Sequence, residues 1–223
     1  MADQHPAFRT RDWDAESARL AARALQAGEP TSWFERLYAG GRSGEIDMPW
    51  DRAEPLPLLR DRLPERGSGA AVVVGCGLGA DAEFVASRGF RTTAFDISET
   101  AVRTAAERNR GSPVTYRVAD LLSWPDAWRR AFDLVVEVIN LQALPVDLRP
   151  RAVGAVAELV APGGTLLVIE NIREDGAAPP ERPPWPFSRA EVESFAEHGL
   201  RPVAVERHGE SAPPRWRAEF TRP

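Results

Sequence analysis

Gly75, Gly77 and Gly79 alternate with single residues directly after the apolar run AAVVV at 70–74. Such a run reads as a strand. Glycines at its end let the chain turn sharply and bring bare backbone against a ligand. A helix starting near Ala80 aims its N–H groups into the same space. The next apolar run, RTTAF, ends at Asp96, followed by Ile97. An acid at that place accepts from the ribose hydroxyls of an adenosine ligand. A third run ends in VADLL, so Asp120 can accept from the adenine amino group and the Leu121 N–H can face a ring nitrogen. GCGLGA also fits the loop of dinucleotide enzymes, so a nicotinamide-dependent reductase stays open at this point.

Few other residues carry chemistry. All 28 basic residues are arginine, which excludes Schiff-base and lysine-base catalysis. Cys76 is the single cysteine, so neither an intrachain disulfide nor a cysteine-based zinc site is expected. Between two glycines it reads as a small packing side chain. Three histidines, His5, His198 and His208, are too few for a His-rich metal site, and no metal is expected. His198 precedes Gly199 at a helix end, where a cation suits the dipole. His208 follows the sixth strand and could overhang the site as a base. Arg149 and Arg151 could meet an acidic substrate or stand solvated. No residue stands out as a general base.

These residues need a scaffold. From position 70, strand-like runs fall at 70–74, 91–95, 114–118, 132–138, 165–169 and 202–206. Helix-like stretches lie between most of them, at 80–88, 98–110, 147–161 and 188–197. Alternating elements with short, continuous apolar strands imply a doubly wound, mostly parallel α/β sheet. RPVAVERHG and RWRAEFTR are joined only by ESAPP, too short for a helical crossover, so a seventh strand must run antiparallel. Upstream, apolar residues at helical spacing over 12–27 and the stretch WFERLYAG predict a small helical cap. Residues 1–11 carry no such pattern and read as a disordered start. The division predicted is a cap over 1–66 and a ligand-binding domain over 67–223. Net charge is -5, against a nucleic-acid surface, and no apolar run is long enough to span a membrane. A small-molecule substrate and a cytoplasmic location follow as expectations, while oligomeric state is not legible.

Glycine loop, Asp96, Asp120–Leu121, the Pro162-Gly163-Gly164 turn and the closing hairpin occur in one order. Over 68–223 this order resembles the class I S-adenosylmethionine-dependent methyltransferases. The stretch WFERLYAGGRSGEIDMPWDRAEPLPLL is similar to the segment before the glycine loop in the thiopurine and thiol/halide group. The resemblance implies S-adenosylmethionine as cofactor, S-adenosylhomocysteine as product, and methyl transfer to a small thiol. Small-molecule O- or N-methyltransferases share parts of the pattern and remain alternatives. It also implies that Gly75, Cys76 and Gly77 flank the methionine part and that Glu137, closing the fourth strand, touches its ammonium group. Trp33 and Trp50 would close over the cofactor, and Trp124 would lie against the adenine. The usual substrate segment is reduced here to INLQALPVDLRP.

Overall fold

The computed structural model describes residues 12–209 and 213–223. The disordered start expected over 1–11, with His5, lies outside the described residues, as does part of the ESAPP linker. Strand β1, Ala70–Val74, is buried almost end to end. An unbroken apolar run is what a strand covered on both faces requires. It pairs in parallel with β2 (Arg91–Asp96) and β4 (Phe132–Val138). Beyond β2 lies β3 (Thr115–Val118), and beyond β4 lies β5 (Val160–Asn171). The hairpin of β6 (Arg201–His208) and β7 (Arg215–Thr221) completes the sheet, with β7 antiparallel to both neighbours. The order β3-β2-β1-β4-β5-β7-β6 is the seven-stranded, mostly parallel arrangement the sequence predicts. It reverses between β1 and β4, which opens a crevice at the carboxyl ends of the strands there.

Two apolar layers cover the sheet. Ala152, Val153 and Val156 of α6 (Arg149–Ala157) and Val192 of α7 (Arg189–Glu193) join Phe95, Val135 and Phe220 in one. In the other, Ala82 and Val85 of α4 (Ala80–Ser87) and Leu59 of α3 (Pro57–Arg60) meet Val73 and Leu167. Helices α1 (Trp13–Gln26) and α2 (Trp33–Arg42) form a third cluster of their own around Leu20, Trp33 and Leu37. Gly40 and Gly41 of α2 are small because Ile46 and Met48 pack there. A Cβ on either would stand 2.4 Å from Ile46 Cδ1 or 2.5 Å from Met48 Cγ.

Glu35 of α2 fastens this cap to the sheet domain. Its Oε2 accepts from Ser98 Oγ at 2.6 Å and from the Thr100 N–H at 3.0 Å. Those groups form the N-cap and first turn of α5 (Glu99–Arg108), where the helix dipole favours a carboxylate.

Two expected elements differ. The helix expected over 147–161 ends at Ala157, and Pro162-Gly163-Gly164 lies inside β5 rather than in a helix–strand turn. Val160 already pairs with Phe132, a bulge follows, and pairing resumes at Thr165 with Leu134. At Gly164 the carbonyls of Ala161 and Phe132 both come within 2.9 Å of where a Cβ would stand, so the bulge accommodates only glycine. The helix expected over 188–197 is the five-residue α7, whose Ser188–Glu191 capping box starts it, followed by a 3₁₀ turn over Ser194–His198.

Candidate active site at the sheet switch point

Past Val74 the chain turns through left-handed residues, with φ of +57° at Gly75, +51° at Gly77 and +94° at Gly79. The turn has no room for side chains. A Cβ on Gly75 would stand 2.0 Å from Asn140 Oδ1, and one on Gly77 would stand 2.7 Å from Tyr38 Oη. The loop is thus held between the end of β4 and the cap. Asp96, at the end of β2, fixes it from below. Its Oδ2 accepts from the Gly77 N–H at 3.0 Å, and its Oδ1 accepts from the Ser98 N–H at 2.9 Å. Burial pushes this carboxyl up to about 6, against the pull of those N–H donors. Each carboxylate oxygen keeps further acceptor capacity.

A cavity of about 540 Å³ opens above these residues. Of the residues predicted from sequence, Gly75, Cys76, Gly77, Asp96, Ile97, Asp120, Leu121, Trp33 and Trp50 all line it. Asp120 also caps the 3₁₀ turn Leu121–Ser123, accepting from the Leu122 N–H at 2.8 Å. The cap supplies an aromatic roof. Trp33 stacks on Phe34 at 4.1 Å, while Trp50 meets Trp13 edge-on at 5.4 Å and Tyr38 at 6.4 Å. Burial pushes the Cys76 thiol well up, which suits packing and not nucleophilic attack.

Glu137 departs from its expected role. It is fully buried and off the cavity wall. Its Oε1 accepts from the N–H groups of Asn140 and Leu141 at 3.0 and 2.9 Å. Glu170, equally buried on β5, accepts from the Gln142 N–H at 3.0 Å. Together the two acids peg the backbone of 140–142, whose side chains Asn140 and Gln142 form cavity wall. Two adjacent buried carboxylates cannot both stay ionised. Burial first, then the charge of Glu137, pushes Glu170 well up, so Glu170 holds the proton. The folded-state value lies above the unfolded one. The associated stability is therefore present at low pH and lost as pH rises through the folded value. Glu170→Gln, whose amide replaces the acid's donor and acceptor, is expected to keep the neutral-pH unfolding midpoint and to flatten its alkaline decline. Thermal unfolding across pH checks this, and an unflattened decline contradicts the shared proton.

Other expectations resolve away from the cavity. Trp124 packs at the edge of the core with the Arg129 guanidinium 5.3 Å over its ring. Arg149 is neither solvated nor free for substrate: it is buried, paired with Glu191 at 2.5 Å, and donates to the Trp185 carbonyl. Arg151 reaches the Leu122 carbonyl at 3.0 Å. His198 lies against Gly154, and His208 pairs with Glu206 at 3.2 Å. Several wall residues escaped the sequence reading, Asn140, Asn171, Tyr38 and Arg215 among them. Asn140 lies two residues past β4 and Asn171 ends β5, a legible signal. Tyr38 shares the helix face of Phe34, also legible in principle. Arg215 lines the cavity only through the pairing of β7, which spacing does not show. Among the described residues no cluster of His, Cys, Asp and Glu could hold a metal, and no helix is long and apolar enough to cross a membrane.

The glycine turn, Asp96 at the end of β2 and Asp120 just past β3 line one crevice of the doubly wound sheet. Residues 71–164 match the family described as methyltransferase domain. A probable thiol methyltransferase of Arabidopsis thaliana is 29% identical over 175 residues, covering 72% of this chain and 76% of that protein. A 2-heptyl-1-hydroxyquinolin-4(1H)-one methyltransferase of Mycobacteroides abscessus is 29% identical over 168 residues, covering 71% and 72%. The N-methyltransferase NodS of Bradyrhizobium japonicum, solved with S-adenosyl-L-homocysteine, shares the fold with a TM-score of 0.63 at 24% identity, over 83% of this chain and 97% of that one. These matches support a class I S-adenosylmethionine-dependent methyltransferase. They speak against the reductase alternative. The cofactor fits the residues present, because the glycine turn, Asp96 and Asp120 border one cavity of about 540 Å³.

Proposed function

We propose that this enzyme transfers a methyl group from S-adenosylmethionine to the sulfur of a small thiol inside the capped cavity. Asp96 holds the ribose hydroxyls, Asp120 and the Leu121 N–H hold the adenine, Ile97 packs beside the nucleoside, and Gly75, Cys76 and Gly77 border the methionine part. Trp33 and Trp50 roof the site and exclude water. When bound, the cofactor supplies a methyl group on a sulfonium, which an acceptor's lone pair takes by in-line displacement. The protein's own contribution is to hold donor and acceptor close and collinear, which alone is worth several orders of magnitude.

The observation that carries sulfur as the acceptor atom is the character of the wall. Among the described residues, the cavity is lined by no histidine, glutamate or lysine. Its acids, Asp96 and Asp120, belong to the nucleoside side. Tyr38 cannot serve as a base at neutral pH, since burial and then Asp96 push its hydroxyl well up. An unactivated alcohol needs a base, whereas a thiol with a pKa of about 8.5 needs only to ionise. An acidic hydroxyl on an aromatic ring would satisfy the same wall, and the quinolone-directed relative keeps O-methylation as the second reading. A single buried thiol suits the reducing cytoplasm, where we place the enzyme.

The test is incubation with S-adenosylmethionine and matched thiol, phenol and amine panels, read by mass spectrometry. Methylated thiols with unmodified amines and neutral phenols are expected. Methylation confined to phenols or amines would overturn the sulfur assignment.

A further inference from the structure

The sheet edge that forms the floor of the cavity runs from β1 through β4 and β5 to β7. At its far end Arg215 stands directly opposite Asn171 in the antiparallel register, and both line the cavity. Arg215 differs from its neighbours. Arg217 pairs with Glu206 at 2.7 Å, and Arg52, also on the wall, pairs with Asp81 at 2.9 Å. Arg215 has no carboxylate partner among the described residues, and its Nε is buried without a hydrogen-bond partner. Burial, and then the nearby charge of Arg52, work against its ionised form. A guanidinium stays ionised even so. Holding an uncompensated, half-buried cation beside a second one is costly unless an anion joins them.

We propose that Arg215 binds an anionic group on the acceptor, so that the enzyme selects acidic over neutral acceptors. This rests on the reading that the acceptor occupies the part of the cavity over β4 and β5. The sheet sets the scale. Two strand spacings separate β4 from β7, roughly 10 Å. An acid group therefore sits about a ring's width from the reacting atom. The cavity wall also carries Ala143, Leu144, Pro183 and Pro184, which suit an aromatic or similarly flat body. The NH₂ of Asn171 can donate to the same anion.

Benzoate and benzamide, equal in shape and different in charge, are the probes. Calorimetric titration into the enzyme loaded with S-adenosylhomocysteine is expected to show benzoate binding at least about tenfold tighter, as a charge-assisted pair requires. Arg215→Gln removes that difference and leaves affinity for S-adenosylhomocysteine in place, while Arg215→Lys retains part of it. Equal binding of the two probes to the wild type overturns the proposal without any variant. So does a difference that survives in a folded Arg215→Gln protein. A separate arm compares turnover of 4-mercaptobenzoate and 4-mercaptobenzamide. If neither is methylated while benzoate still binds preferentially, sulfur transfer is wrong and the anion site stands. If both are methylated equally well and bind equally, the anion site is wrong and sulfur transfer stands.

Discussion

Replacing Asp96 by alanine is expected to weaken S-adenosylhomocysteine binding by about 1–3 kcal/mol, on the order of ten- to a hundredfold, the cost of stranding buried polar partners. Two effects add. The ribose hydroxyls lose their acceptor, and the Gly77 and Ser98 N–H groups lose theirs. The second effect deforms the glycine turn even before ligand arrives, so the free protein loses stability too. Asp96→Asn separates them: it keeps one carbonyl oxygen and should lose less of both. The wild type should also show a characteristic pH response. With its carboxyl raised to about 6 by burial, the free enzyme holds a proton there at lower pH. That raised value contributes stability at low pH which is lost as pH rises through about 6. Ligand binding runs the other way, because only the ionised carboxylate accepts from both ribose hydroxyls. Affinity should therefore fall as pH drops below that range. Calorimetry from acid to neutral pH on wild type and Asp96→Asn checks this. A wild-type affinity that stays flat with pH, or an unchanged affinity in Asp96→Ala, contradicts the ribose assignment.

Gly75→Ala is expected to be nearly as damaging, by a different route. The left-handed φ of +57° costs an alanine about 1–2 kcal/mol in any setting. Here the new methyl also lands 2.0 Å from Asn140 Oδ1, so the Asn140 side chain or the loop must shift. Both border the cavity. A drop of at least about tenfold in S-adenosylhomocysteine affinity should accompany the lost stability, as displacement of a positioned group usually costs. Gly163 supplies the control. Its φ is +76°, yet nothing lies within 4 Å of its missing Cβ. Gly163→Ala should show the backbone cost alone in denaturant unfolding and leave ligand affinity unchanged. Equal losses of affinity in the two variants would mean that close approach at Gly75 does not shape the site.

The parts of this enzyme that sequence reveals are those set by local rules. A continuous apolar run, a glycine turn and an acid at the next strand end are contiguous or nearly so, and Gly75, Asp96, Asp120 and Leu121 are legible as cavity wall for that reason. Hairpin geometry followed from the short ESAPP linker. Most of what escaped depends on contacts far apart in sequence. Glu137 sits where a ligand-facing acid belongs, but the Asn140 and Leu141 N–H groups take up its carboxylate inside the core. Arg149 reads as a free cation until Glu191 is packed beside it. Pro162-Gly163-Gly164 looks like a turn until Val160 is seen to pair with Phe132. Arg215 acquires a role only when β7 lies beside β5. In these last three cases tertiary pairing overrode a local pattern.

The most direct measurement is a crystal structure of the complex with S-adenosylhomocysteine. The nucleoside should lie across the tips of β1 and β2, with both ribose hydroxyls within hydrogen-bond reach of the Asp96 carboxylate and the adenine against Asp120 and Leu121. A nucleoside bound away from the tips of β1 and β2, or a ribose that leaves Asp96 untouched, would contradict the account at its root.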